Sequence, residues 1–316
     1  MTALVDTQEG STVRHLLTLL DLSQDELQEL MKLADDLKAK FEAGVREPLF
    51  PGRVAGLLFS KPSLRTRVSF EAAMTHLGGS SLYLGQDVGW GKREPASDFG
   101  RVLSQYVDVI VCRTFAHASI EELAQYCDCP VINGLTDMAH PCQALADVLT
   151  IKEECGKLDG AAVTFVGDGN NVARSLAIAC RRLGANLTLS APAGYEFDSD
   201  FLDKINAMDG DGSVANVADP VEAVSGAEAI YTDVWASMGQ EKDQKKREKD
   251  FASHQVNTEL MSNAPDAIFL HCLPAKRGQE VTAEVIDGPQ SRIVEQAANR
   301  MHAQKAILAW LLGDAT

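Results

Sequence analysis

Short apolar strands alternate with amphipathic helices in this sequence, and the alternation runs through it twice. In the first half, Gly52–Phe59 reads as a buried strand and about Val68–His76 as a helix. Ser81–Leu84, Val107–Cys112 and Val131–Asn133 read as further strands, with a helix near residues 97–105. The pattern restarts after Gly160. Residues 161–167, 185–191, 229–232 and 267–271 read as strands, with a helix over Val172–Leu183. Strands that are apolar throughout and separated by helices imply parallel sheets covered on both faces. The expected fold is therefore α/β, two doubly wound parallel-sheet domains over residues 1–150 and 151–316. A helix from Asp21 carries Leu27, Leu30, Leu33 and Leu37 at helical spacing. The helix over 141–155 joins the halves, and the last helix, about 291–312, packs back on the N-terminal domain. A chain of 316 residues is long enough for two such cores.

In open α/β sheets ligands gather beyond the carboxyl ends of the strands. Those ends carry one polar cluster after another: Ser63, Arg65 and Thr66; Arg113; His140-Pro141-Cys142-Gln143; the turn Gly167–Asn171; Asp233 with Ser237-Met238; and His271-Cys272-Leu273-Pro274. SKPSLRTRVSFE (60–71) sets arginines, serines and a threonine ahead of a helix. Pro62 suits the first turn, and Ser63 or Thr66 suits the cap. Helix N-termini favour anions, and arginine adds a planar fork for phosphate oxygens. Taken alone, the segment fits either an anion site or an ordinary capped surface helix. Pro141 at a first helical position puts His140 at the N-cap, with Gln143 one turn on. Both could donate to a carbonyl oxygen, or His140 could simply be satisfied by the backbone.

A dinucleotide reading of GDGNN (167–171) fails, because G-x-G-x-x-G needs glycine where Val172 stands. The next strand also ends in Ser190-Ala191, without an acidic residue for a ribose hydroxyl. Asn170 and Asn171 suit an amino-acid head group instead. A net charge of −16 argues against nucleic acid or an anionic membrane as partner, so any anion must be held by local clusters of Arg and His. Seven cysteines without metal-type spacing read as reduced thiols of a cytoplasmic protein. The first residues lack the apolar core of a signal peptide, and no apolar run approaches the ~18 residues of a membrane span. EKDQKKREKD (241–250) reads as a solvated helix or loop.

Taken together, from about Arg14 to the C-terminus, these motifs resemble the aspartate/ornithine carbamoyltransferase superfamily, within it the ornithine branch. The carriers are SKPSLRTRVSFE, HPCQALAD (140–147), DVWASMGQE (233–241), HCLPAKRGQEVT (271–282) and ANRMHAQKAIL (298–308). The resemblance implies transfer of a carbamoyl group from carbamoyl phosphate to the δ-amine of L-ornithine, in arginine biosynthesis. It implies a homotrimer or an assembly of trimers, and no metal or organic cofactor. It assigns Ser63, the Leu64 amide, Arg65, Thr66 and Arg113 to the phosphate. His140, Gln143 and Thr66 address the carbamoyl group, with Arg300 and the backbone of Cys272-Leu273 completing the pocket, and Asn171, Asp233, Ser237 and Met238 take ornithine. Cys272 stands beside the reacting amine without acting as a covalent nucleophile.

Three positions depart from the family pattern, among them Lys276, where His is more usual and which reads as a surface residue at the pocket mouth. Leu64 replaces a common Thr, which is harmless if only its N–H is used. In DVGWGKRE (87–94), Gly89 stands where the family has a Gln that reaches a neighbouring subunit. Trp90 or Arg93 would then supply that contact, or Trp90 merely packs the loop. The rival acceptors are N-acetylornithine, N-succinylornithine and putrescine. A rival of another class is a non-catalytic amino-acid or phosphate sensor.

Overall fold

The computed structural model describes residues 13–236 and 241–313. The N-terminal half runs α1 (Gln24–Glu42), β1 (Val54–Phe59), α2 (Leu64–His76), β2 (Ser80–Leu84), α3 (Ala96–Leu103), β3 (Val109–Arg113), α4 (His117–Ala124), β4 (Val131–Leu135) and α5 (Pro141–Cys155). The second half runs β5 (Ala162–Val166), α6 (Asn171–Leu183), β6 (Asn186–Ser190), α7 (Ser199–Asn206), β7 (Ser213–Asn216), α8 (Pro220–Val224) and β8 (Ala229–Thr232). It ends with α9 (Gln244–Asp250), α10 (Thr258–Met261), β9 (Ile268–His271), α11 (Ala283–Ile286) and α12 (Ile293–Gly313). The strands form two sheets, ordered β2-β1-β3-β4 and β7-β6-β5-β8-β9, with every pair parallel. The expected α/β architecture of two parallel-sheet units stands.

Several local expectations need correction. The helix of SKPSLRTR begins at Leu64 rather than Val68, and Pro62 lies outside it. Ser63 is its cap, accepting from the Thr66 N–H at 3.3 Å; Thr66 is inside the first turn. Strand β2 is a largely exposed sheet edge rather than a covered strand. Helices α4, α7 and α8 and strand β7 were not expected. All four are short, and a few residues do not establish a period.

Local chemistry sets the helix ends. Ser23 and Glu26 form a reciprocal capping box at α1: Glu26 N–H donates to Ser23 Oγ at 3.2 Å, and Ser23 N–H to Glu26 Oε2 at 2.7 Å. Ser23→Ala is expected to cost about 1 kcal/mol, read as a lower urea midpoint at unchanged slope. Gly184, at φ 85°, ends α6 in a left-handed turn open to glycine without a Cβ penalty.

A continuous apolar core joins the halves. It runs from Leu57, Phe59 and Val109 through the buried faces of α5, α6 and α12 to Val163, Phe165 and Leu187. Helix α12 packs against α1, α2 and α5, so a segment late in sequence lies against the N-terminal sheet's helices. Among the described residues, no helix is long and apolar enough to cross a membrane.

The candidate active site

Each sheet order reverses direction at one place, between β1 and β3 and between β5 and β8. Crevices open at such reversals because the connections leave to opposite sides. The first crevice receives Ser63, Arg65 and Thr66 after β1 and Arg113 at the end of β3. In register, Phe59 pairs with Arg113, and Ser60 N–H donates to Arg113 O at 2.9 Å. The second receives Asn170 and Asn171 after β5 and Asp233 after β8, with Cys272 following the neighbouring β9.

At the first crevice, Ser63 Oγ donates to Thr66 Oγ1 at 3.1 Å, and Ser63 takes the Thr66 and Arg67 amides, leaving those of Leu64 and Arg65 at the helix start for a ligand. Leu64 is 76% exposed, so its side chain turns away and only its amide can serve a ligand. Arg300 reaches in from α12, donating to Thr66 Oγ1 at 2.9 Å and Gln143 Oε1 at 2.7 Å. Arg113 and Arg300 are almost fully buried, and each Nε lacks a partner among the described residues. No ion pair among the described residues involves Arg65, Arg113 or Arg300. Burial, with the charges of Arg300 and Arg65, pulls the Arg113 guanidinium down to about 10. Burial likewise lowers that of Arg300. Buried, mutually repelling cations without counter-charge are costly unless an anion joins them.

His140 closes this pocket. It stands at the N-cap position of α5, but its side chain makes no cap bond and its buried Nδ1 has no partner. Its backbone N–H is tied across to Ser175 Oγ on α6 at 2.8 Å. Burial, then the charges of Arg300 and Arg113, hold its pKa well below the usual value. The imidazole is neutral at pH 7, a donor that brings no extra charge. Gln143 is buried too, its amide held by Arg300 on one side and Asp147 on the other.

At the second crevice, Asp233 accepts from Asn170 Nδ2 at 3.1 Å and from the Cys272 thiol at 3.2 Å. Burial, then the Asp233 carboxylate, pushes the Cys272 thiol well above its ordinary range and keeps it protonated. It therefore has little nucleophilic character. Asn171 donates to Thr136 O at 2.6 Å, tying α6 to the loop after β4 and using one of its two amide hydrogens. Leu273 sits at φ 58°, a left-handed conformation costing of order 1–3 kcal/mol for a residue with a side chain. Its N–H donates to His271 Nδ1 at 2.8 Å, which holds the turn. Asp233, His271 and Cys272 each offer an atom within 4.8 Å of the others. Both His271 nitrogens are nonetheless occupied, Nε2 facing Glu280 at 3.3 Å.

Some expected site residues fall elsewhere. Ser237 and Met238 lie outside the described residues. Trp90 and Arg93 are not among the contacts of this cluster. Trp90 packs on Phe99, and Arg93 is exposed and lies along Gly89, where a Cβ would meet its Cδ at 2.6 Å. The charge run over 241–250 is not merely solvated: Arg247 donates to Asp168 Oδ2 at 2.5 Å and to Trp235 O at 2.8 Å. Asp147 and Gln296 were not expected here. Only the Asp of HPCQALAD signalled them, and nothing in the sequence shows which partner it meets.

Asp147 is wholly buried beneath Gln143. Desolvation raises its carboxyl to about 7, against the opposing hydrogen bonds from Gln296 and Gln143. In the unfolded chain it titrates near 3.9. Between those values the folded chain binds more protons, so stability falls as pH rises from about 4 to about 7 and the full penalty persists above that range. Asp147→Asn removes this term. The urea stability of the variant relative to the parent is expected to climb between pH 4.5 and 7.5; a constant difference contradicts the assignment.

Known proteins match the chain over nearly its whole length. The family description "Aspartate/ornithine carbamoyltransferase, carbamoyl-P binding domain" matches residues 14–153, and "Asp/Orn binding domain" matches residues 159–311. The chain is 50% identical over 310 residues to an ornithine carbamoyltransferase of Bacillus subtilis, covering 97% of this chain and 96% of the relative. It is similar to the solved ornithine carbamoyltransferase of Pyrococcus furiosus, at 48% identity and TM-score 0.91, covering 95% of this chain and 97% of that one. A solved anabolic ornithine carbamoyltransferase of Campylobacter jejuni is 34% identical at TM-score 0.89, covering 96% and 100%. Both halves of the chain are thus matched by this family's domains, and the chain belongs to the aspartate/ornithine carbamoyltransferase family.

Proposed function

We propose that this protein transfers the carbamoyl group of carbamoyl phosphate to the δ-amine of L-ornithine, giving L-citrulline and phosphate. The observation that carries the reading is the pair of buried guanidinia, Arg113 and Arg300, which have no ion-pair partner among the described residues and lie beside a capped helix start. A compact dianion with a carbonyl suits that cradle.

In this reading residues 1–150 hold carbamoyl phosphate and residues 151–316 hold ornithine. The Ser63–Thr66 loop, with the Leu64 amide, Arg65 and Arg113, takes the phosphate. His140, Thr66 and Arg300 donate to the carbamoyl oxygen, and Gln143 and the Cys272-Leu273 backbone orient the carbamoyl nitrogen. Asn171, Asp233 and the Ser237-Met238 loop hold the amino acid. The δ-amine must lose its proton before attack, since an alkylamine is cationic at pH 7. Burial beside the arginine cluster favours the neutral form. Its attack on the carbamoyl carbon places negative charge on oxygen, opposite donors already in position. The carbon–oxygen bond to phosphate then breaks, and the departing phosphate takes the amine proton. Holding both substrates in one crevice supplies much of the acceleration.

The protein works in the cytoplasm as a homotrimer, and Arg93 or Trp90 contributes across the subunit interface. Phosphate release from carbamoyl phosphate tests the reaction, with L-ornithine, N-acetyl-L-ornithine, N-succinyl-L-ornithine and putrescine compared as acceptors. Turnover is expected with L-ornithine, at least about a hundredfold above putrescine, whose lack of a carboxylate leaves site donors unpaired. A preference for an acylated acceptor overturns the ornithine assignment, and no turnover with any acceptor revives the sensor.

A further inference from the structure

The turn after β9 is held by a buried pair of side chains that the reaction leaves unused. Leu273, next to Cys272, sits at φ 58° and donates its N–H to His271 Nδ1 at 2.8 Å. An amide N–H can only donate, so Nδ1 is the bare ring nitrogen and the ring proton sits on Nε2. Nε2 faces Glu280 Oε1 at 3.3 Å, which accepts that proton. One acceptor on one side and one donor on the other thus select a single tautomer of His271.

Glu280 is itself fixed for this task. Neither its side chain nor that of His271 has any solvent exposure. Lys276 N–H donates to the same Glu280 oxygen at 2.5 Å, closing the loop between the two residues. The Glu280 backbone is tied down as well, since Val256 N–H donates to Glu280 O at 2.9 Å and Thr282 N–H to Val256 O at 3.1 Å. Val256 and Val281 beside it belong to a buried apolar cluster, and Glu280 Oε2 has no partner among the described residues. Two apolar side chains would fill this space at lower cost if packing were all that the pair supplied.

We propose that Glu280 is a positioning residue, which through His271 holds the left-handed Leu273 so that the Cys272-Leu273 backbone is aimed at the carbamoyl nitrogen. With Glu280 in place, the ring cannot present an Nδ1–H to the Leu273 N–H. Without it both tautomers open, one of them sets two donors against each other, and Leu273 relaxes out of its strained conformation. The inference rests on the carbamoyl-transfer reading and adds to it a residue that touches neither substrate.

The test pairs steady-state kinetics with 15N NMR of the histidine rings, the His271 signals being identified by their loss in His271→Asn. The parent should show Nδ1 bare and Nε2 protonated. Glu280→Leu is expected to lower kcat about a hundredfold, the loss that follows a small misplacement of a reacting group. Both KM values should stay within about threefold, because Asp233 and the phosphate donors of α2 and β3 stand on other elements. In the same variant the ring nitrogens should move toward an average of the two tautomers. Glu280→Gln keeps the acceptor oxygen and should hold kcat within about threefold of the parent. Should Glu280→Leu not fold, Glu280→Asp decides, its oxygens one methylene short, with about a tenfold fall in kcat expected. A protonated Nδ1 in the parent, or an unchanged kcat in the folded variant, overturns the inference. Absence of turnover in the parent overturns the functional reading instead, and the tautomer then decides the role of Glu280 in the turn.

Discussion

Arg300→Met is expected to lower kcat/KM for carbamoyl phosphate by about a thousandfold, roughly 4 kcal/mol of transition-state stabilisation. Two donors vanish together, those to Thr66 Oγ1 and Gln143 Oε1. A cation facing the developing oxyanion goes with them. The loss should fall on kcat as much as on KM, because a donor aimed at the transition state is used most there. A second consequence separates this from simple misfolding. The Arg300 charge helps hold the His140 pKa down and lowers that of Arg113, so its removal lets both rise. Steady-state kinetics at fixed ornithine, with the histidine titration followed by NMR, measures both effects. A decrease of less than tenfold would remove Arg300 from the chemistry.

Asp233→Asn should leave carbamoyl phosphate binding nearly intact and raise the KM for ornithine by about a hundredfold, near 3 kcal/mol, in the range of a lost charge-assisted hydrogen bond. The carboxylate stands at the end of β8, where it accepts from Asn170, the Cys272 thiol and the Val234 amide. An amide of the same shape keeps an acceptor for some of these but offers no charge to a cationic amino group. Without that carboxylate the Cys272 thiol pKa should fall, because Asp233 is one of the causes holding it high. Thiol alkylation rates against pH would report that change independently of turnover. An unchanged ornithine KM would move the amino-acid site elsewhere.

The two effects land on different substrates because the residues occupy different crevices. Arg300 arrives from α12, which follows the second sheet in sequence but packs against α1, α2 and α5. That return explains how a residue 234 positions beyond Thr66 comes to donate to its hydroxyl oxygen. The sequence pattern placed the last helix against the N-terminal half, but it carried no sign of which turn would face Thr66.

Much of the architecture was legible in sequence, for local reasons. The apolar runs of β1, β3, β5 and β9 and the long helices α1, α5 and α6 follow from periodicity and caps that act within a few residues. The meeting of Asn170, Asp233 and Cys272 was legible as well, since polar groups after successive apolar strands converge in a parallel sheet. Short elements such as α4, α8 and β7 were not, because their few residues take their conformation from what they pack against.

By itself, then, the sequence determined that this chain forms parallel sheets, where the carboxyl ends of their strands lie, and which polar side chains follow them, because each depends on chemistry local to a strand or a turn. The tertiary structure decided what those side chains become. Strand order put β1 beside β3 and β5 beside β8, opening the two crevices. Packing 149 residues apart in sequence joined Asp147 to Gln296, and the docking of α9 set Arg247 on Asp168. Burial left His140 neutral and Cys272 protonated. Desolvation and long-range pairing exist only once distant elements meet, and no window of sequence contains them.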